Sequence, residues 1–139
     1  MHMQGSPENM QASPRYDDVA VELEEFFRER LLFCREKGIR HVVIDPGIGF
    51  GKDWPDNFKI LNYLEAFADL GCPILVGISR KSCIGWALGD KHLDRLAGTL
   101  SAVSASILRG AHIVRAHDVK ETVQAARIAD CIIDAERCS

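Results

Sequence analysis

The 139-residue sequence contains no apolar run approaching the roughly 18 residues of a membrane span, so no transmembrane helix is expected. Residues 1–7 lack the apolar stretch of a signal peptide, and a cytoplasmic protein is expected. There is no C-x-x-C pair. The cysteines, Cys34, Cys72, Cys83, Cys131 and Cys138, are five in number and widely spaced, which excludes a zinc cluster and argues for reduced thiols over a disulfide scaffold. Neither sign of charge is in excess: 17 Lys and Arg face 20 Asp and Glu, for a net charge of -3. Nucleic acid or an anionic membrane is therefore not expected as the main partner, and any basic site must be local. The pattern G-x-G-x-x-G is missing, and the one Gly-Lys pair near a glycine cluster, Gly51-Lys52, is followed by Asp53 where a phosphate loop needs Ser or Thr. What remains is ordinary globular composition, 47% hydrophobic and 27% charged, suited to a single domain of modest core.

Long amphipathic stretches alternate with short apolar runs. The first stretch, residues 14–37, places Val19, Leu23, Phe26, Phe27, Leu31 and Cys34 on one helical face, with Ser13-Pro14 as its start and Gly38 as its stop. The run 41–44 is continuous rather than alternating, which predicts a strand buried on both faces of a parallel sheet. A helix over 55–70 follows, with Phe58, Leu61, Leu64 and Phe67 as its stripe, Asp53 as its cap and Gly71 as its end. A strand over 73–77, a short helical piece from Ser82, and a helix over 93–109 bearing Leu93, Leu96, Leu100, Val103 and Ile107 come next. The third strand is 112–115. The last helix follows Asp118, which has capping-box spacing to Glu121, and it is expected to bury Val119, Val123, Ala126 and Ile132. This order, a helix and then three strand-helix units, implies a parallel α/β sheet with right-handed crossovers. Residues 1–3 fit the end of a preceding strand.

The polar residues fall where the strands end. Asp45-Pro46-Gly47-Ile48-Gly49-Phe50-Gly51-Lys52 follows the first strand, Gly77-Ile78-Ser79-Arg80-Lys81-Ser82 the second, and Arg115-Ala116-His117-Asp118 the third. In parallel α/β folds that edge is where ligands bind, so Asp45, Lys81, Arg115 and His117 are expected at one mouth. The glycines permit a tight turn that brings backbone close to a planar ligand. A carboxylate offers two acceptors to a heterocycle edge with adjacent N–H donors, and the three cation-capable groups suit phosphate or pyrophosphate. The start of the helix at Ser82 would add amide donors for an anion. Each residue also has a plainer reading. Asp45 opens a turn, Arg80 and Lys81 are solvated charges, and Asp118 caps the last helix. His2, His41, His92 and His112 read as structural or surface residues, Lys52 likewise, and Trp54 and Trp86 as packing or interface residues. Joint placement of three loops on one edge favours the site.

The segments Met1-His2-Met3-Gln4-Gly5, Asp45 to Lys52, Gly77 to Ser82 and Arg115-Ala116-His117-Asp118-Val119-Lys120-Glu121-Thr122 together resemble the dihydropteroate synthase family, the folate-pathway target of sulfonamides. The resemblance runs over essentially the whole chain. It implies a parallel (β/α)8 TIM barrel of the pterin-binding type that condenses 6-hydroxymethyl-7,8-dihydropterin pyrophosphate with 4-aminobenzoate and releases pyrophosphate. By matching position it implies that Asp45 reads the pterin ring edge, that Lys81 lies on the pterin, that Arg115 stacks on it and reaches phosphate, and that His117 holds pyrophosphate. Lys81, Arg115 and His117 would then be catalytic. Phe50, Ser79, Arg80 and Ser82 match residues around the aminobenzoate, and Gly77 and Met1 match the pterin pocket. The resemblance also implies magnesium and a homodimer through the C-terminal helices.

A complete barrel of this kind takes about 250 residues. The resemblance therefore places this chain as the C-terminal half, a single segment over 1–139 running from the end of the fifth strand through the eighth helix. The family's loops of the first strands, which carry metal and pyrophosphate contacts, have no counterpart here, and no metal ligand can be named. The chain alone is expected to be inactive and, with open strand edges, to self-associate. The alternatives are a non-catalytic pterin-binding or self-associating fragment, and a methyltetrahydrofolate-binding barrel domain. The cluster Gly77 to Ser82 fits the synthase better, because methyl transfer has no aminobenzoate carboxylate to hold.

Overall fold

The computed structural model describes residues 1–135. Helix α1 spans Val19–Glu36 and buries Val19, Leu23, Phe27 and Leu31, successive steps of four along one stripe. Its start is five residues later than the expected Pro14. The Asp18 carboxylate accepts from the N–H groups of Ala20 (2.9 Å) and Val21 (3.3 Å), while Glu22 accepts from the Asp17 N–H at 2.8 Å. A carboxylate reaches these orphan amides, whereas the Tyr16 hydroxyl is drawn to the Gly51 carbonyl at 2.7 Å and holds the preceding residues off the helix axis. At the other end Gly38, with φ 75°, closes the helix by donating to Arg35 O, and Ile39 donates to Cys34 O.

Helix α2 spans Trp54–Asn62 with Pro55 in its first turn, and a 3-10 helix over Leu64–Leu70 continues the expected stripe after a break at Tyr63. Gly71, left-handed at φ 67°, ends it. Strand β1 is Leu75–Val76, helix α3 Ser82–Ala87, helix α4 Leu96–Leu108, strand β2 Ile113–Val114, and helix α5 Val119–Asp134. The expected cap hydrogen bonds from the side chains of Asp53 and Asp118 are not formed.

The strands are shorter than expected. Between β1 and β2 the pairing is parallel, Leu75 with Ile113 and Val76 with Val114. Of the run 41–44, only Ile44 pairs, in a parallel bridge to Ile74. Asp45 O accepts the His2 N–H at 2.9 Å, so the N-terminal segment lies alongside as an outer rail, without forming a strand over residues 1–3. The expectation of strands buried on both faces is corrected. Ile44, Ile74 and Val76 are buried under the helices, but the alternate residues Val43 and Ile113 are exposed, because among the described residues none covers the second face. Asp45, Gly77 and Arg115 continue that open face beyond the strand ends.

The core joins α1, α2 and the 3-10 helix to the covered strand face, with Phe27 and Phe67 edge-to-face at 5.8 Å. Close packing of α3 on α4 depends on Gly98, where a Cβ would stand 2.5 Å from Ile84 Cγ2. The expected stripe of α4 is largely kept: Val103 is buried and Leu96, Leu100 and Ile107 are half-buried beside the buried Thr99 and Ser106, while Leu93 is exposed ahead of the helix. Helix α5 departs from expectation: it buries Thr122 and Ala129, while Val119, Val123 and Ile132 are exposed, Val119 to 64%. Val119, Val123 and Ala126 border a cavity with Leu75 and Val114 of the sheet, and Ile128, Ile132 and Ile133 are exposed further along the helix. Cys34, Cys72, Cys83 and Cys131 are free thiols, and Cys138 lies outside the described residues. Among the described residues no helix is long and apolar enough to cross a membrane.

Candidate functional site

The glycine turn after Ile44 is built from polar staples. Gly47, Gly49 and Gly51 have φ of 69°, 78° and 59°, which residues with a Cβ rarely adopt. Close approach demands the same residue type: a Cβ on Gly47 would overlap the His2 carbonyl, and one on Gly51 would lie 2.6 Å from Gln4 O. Asp45 Oδ1 accepts the Gly47 N–H at 2.8 Å, and Asn57 Oδ1 accepts the Gly49 N–H at 2.6 Å. Asn57 is in turn anchored to Asp53 O at 2.7 Å. Lys52, read from the sequence as surface or structural, is buried, 4% exposed. Its Nζ lies 3.1 Å from Gly47 O, 3.0 Å from Phe50 O and 3.0 Å from His2 Nδ1. Burial pulls the Lys52 ammonium down to about 8 and, with the charge of Lys52 second, pulls His2 down to about 4.

Three loops meet at one mouth. With Asp45 Oδ1 engaged by the turn, Oδ2 faces Arg115 Nη2 at 3.9 Å. The guanidinium lies broadside against Gly77: a Cβ there would stand 2.7 Å from Nη2, 3.1 Å from Cζ and 3.2 Å from Nε. Lys81 Nζ sits 4.1 Å from the centroid of the Phe50 ring, a cation–π contact. Burial, and secondarily the Arg115 charge, hold Lys81 below the usual lysine range. Ser79 is buried, and its Oγ lies 3.1 Å from the His117 amide and 3.0 Å from His117 Nδ1. The hydroxyl accepts the amide proton and pairs with Nδ1, and the two contacts fix the orientation of the imidazole ring. Gly77, Ser79, Lys81, Arg115 and His117 line a cavity of about 190 Å³.

Not every expected residue joins this mouth. Arg80 turns away. It is the one non-glycine residue with positive φ among the described residues, at 56°. Its N–H donates to the buried Thr99 Oγ1 at 3.0 Å, its carbonyl accepts from Arg95 at 2.9 Å, and its guanidinium grips Asp118 through two bonds of 2.8 Å. This pairing holds the Asp118 carboxyl below its ordinary range. Asp118 thus ties the β2–α5 loop to the loop after β1 rather than capping α5, and its side chain is engaged there. An exposed pair of this kind adds little stability, so its effect is orientation. Ser82 lines a neighbouring cavity of about 460 Å³ with Gly49, Lys52, Trp54, Cys83 and Trp86. Helix α3 is only 6 residues long, so the amide field expected at Ser82 is slight. Met1 is 56% exposed and lines neither cavity.

Sequence reasoning missed Lys52, His2, Asn57, Thr99 and Asp118 as supports of the site. The signal available for Lys52 was its place directly after three glycines, where carbonyls are left without partners. Among the described residues no group of three or more His, Cys, Asp or Glu is disposed to hold a metal ion.

The family described as pterin binding enzyme matches residues 1–117. The chain is 44% identical to the dihydropteroate synthase of Escherichia coli (strain K12) over 138 residues, 98% of this chain and 49% of that protein. The crystal structure of Yersinia pestis dihydropteroate synthase with a sulfonamide drug complex superimposes with a TM-score of 0.91 at 40% identity, over 96% of this chain and 50% of the other. The Xanthomonas albilineans dihydropteroate synthase with 4-aminobenzoic acid gives 0.84 at 38% identity, over 94% and 47%. The chain spans about half the length of the curated relatives it matches. A match from residue 1 to His117 takes in the glycine turn, the loop after β1 and the Arg115–His117 loop, and by that match the chain belongs to the pterin-binding enzyme family.

Proposed function

We propose that this chain supplies the C-terminal half of a dihydropteroate synthase barrel, from the tip of the fifth strand through the eighth helix. That enzyme joins 6-hydroxymethyl-7,8-dihydropterin pyrophosphate to 4-aminobenzoate. The observation that carries the reading is the meeting of Asp45 and Arg115 at 3.9 Å over Gly77, on the open sheet face beside Lys81. Asp45 Oδ2 accepts from the N–H edge of the pterin, and the broadside guanidinium of Arg115 gives its ring a stacking face. The amine nitrogen of 4-aminobenzoate forms a bond to the pterin's methylene carbon as the carbon–oxygen bond to pyrophosphate breaks. Pyrophosphate leaves with the electron pair, and the amine gives up a proton. Arg115 and His117 stabilise the charge that develops on the leaving group, and Lys81 adds a cation against the pterin. Phe50, Ser79 and Ser82 border the aminobenzoate, with Arg80 acting on it only through the backbone it anchors. No step is assigned to magnesium.

Calorimetric titration with the pterin pyrophosphate and an assay for pyrophosphate release test this reading on the 139-residue chain. Binding without turnover is expected. Each charge-assisted contact missing from the leaving group costs about 1.5–3 kcal/mol, so two or three slow the reaction by orders of magnitude. Absence of pterin binding refutes the function, and release at ordinary enzyme rates refutes the division into halves. The same reading covers the exposed Ile128 and Ile132 of α5 with a second copy of the chain, and sedimentation is expected to show dimers or larger species.

A further inference from the structure

The buried ammonium of Lys52 is not needed by the mechanism above, and it has an unusual set of partners. An ammonium has three protons to donate. Here they meet Gly47 O, Phe50 O and His2 Nδ1, with His2 O more distant at 3.5 Å. No carboxylate is among these contacts. A buried cation is costly unless its donors are satisfied, so the arrangement holds only while all three acceptors stay in place. Two of them are carbonyls of the glycine turn, whose closing bond runs from Phe50 N–H to Gly47 O at 3.0 Å. The third belongs to the rail segment, where the His2 ring packs edge-on against Phe26 at 4.9 Å. Gly47 also donates to Asp45 Oδ1, and the Phe50 ring faces Lys81. The carbonyls gathered by Lys52 are therefore those of the residues that aim Asp45 and Phe50.

We propose that Lys52, oriented by His2 Nδ1, is the positioning residue of the pterin site: it draws the Gly47 and Phe50 carbonyls onto one cation and so presents Asp45 Oδ2 and the Phe50 ring toward Arg115 and Lys81. This rests on the pterin reading given above. Neither Lys52 nor His2 touches the pterin, and both act through the turn.

Two substitutions of His2 separate positioning from packing. His2→Phe keeps the ring against Phe26 and removes the acceptor. His2→Asn keeps an acceptor near the Nδ1 position and removes the ring. Lys52→Met removes the cation while filling its space. Each is titrated by calorimetry with the pterin pyrophosphate and, separately, with inorganic pyrophosphate, alongside the parent chain, with circular dichroism as the check on folding. The expected result is a loss of about tenfold or more in pterin pyrophosphate affinity for His2→Phe and Lys52→Met, the scale of one lost hydrogen bond to a charged group. His2→Asn is expected within about threefold of the parent, and inorganic pyrophosphate affinity is expected to change by less than about threefold throughout, since His117 is held by Ser79 and Arg115 meets the turn only through the Asp45 carboxylate at 3.9 Å. Retained affinity in folded His2→Phe, or the reverse order with His2→Asn the weaker binder, overturns the proposal. So does a parallel loss for both ligands, or a Lys52→Met chain that folds and binds as the parent does. A variant that fails to fold leaves the decision to the other two. A parent chain that binds inorganic pyrophosphate but no pterin refutes the pterin reading itself and removes this inference with it.

Discussion

Acid should unfold this chain through His2 before it titrates most carboxylates. In the folded chain His2 Nδ1 accepts from the Lys52 ammonium at 3.0 Å, so a proton arriving there would meet a buried cation with no anion between them. Burial first, and the Lys52 charge second, take its pKa from 6.5 down to about 4. Between those values the unfolded imidazole binds a proton that the folded one refuses. The unfolded state therefore holds more protons, and stability falls as pH falls through the window. A displacement of that size corresponds to at most about 3 kcal/mol, a large part of a small domain's total stability. The assay is urea unfolding of the parent and of His2→Asn at pH 7, 5.5 and 4, followed by circular dichroism. Every other titratable group is common to both proteins, so the difference between the two isolates His2. The parent should lose about 2–3 kcal/mol more than the variant between pH 7 and 4, nearly all of it below 6.5. Equal losses in the two proteins would show that His2 stays accessible to protons and that the Lys52 cradle is not closed.

Further outcomes follow from the same geometry. Stability should rise between pH 8 and 10.5, because folded Lys52 releases its proton near 8 while the unfolded lysine keeps it to 10.5; Lys52→Met should flatten that rise in urea titrations. Gly47→Ala combines a left-handed backbone with overlap of the His2 carbonyl and should cost about 3 kcal/mol or more, read as a lowered urea midpoint. Asp45→Asn turns one acceptor into a donor facing the pterin edge and should weaken pterin pyrophosphate binding by about 2–4 kcal/mol in calorimetry. Arg115→Lys keeps the charge but loses the planar face that lies on Gly77, and should weaken the same binding while sparing the fold. His112→Ala should leave binding unchanged and cost about 1 kcal/mol of stability, since His112 Nδ1 accepts the Ile74 N–H at 3.3 Å.

Much of this molecule was legible in one dimension, because the information was local. The step-of-four stripe of α1, the glycine stops at Gly38 and Gly71, and the gathering of Asp45, Lys81, Arg115 and His117 at strand ends all follow from periodicity and chain direction. Apolar spacing sets which helix face is buried, and parallel strands place their loops on one edge. Tertiary structure decided the rest. Whether Lys52 is a solvated lysine or a buried clamp depends on His2, fifty residues away, and whether Arg80 faces a ligand depends on Asp118, thirty-eight residues on. The two-sided burial expected of the strands failed at Val43 and Ile113, and the burial expected of α5 failed at Val119 and Ile132. Composition reports that a residue prefers to leave water, but not whether a covering surface is within reach. Long-range pairing and covering are properties of the assembled fold, and no local pattern carries them.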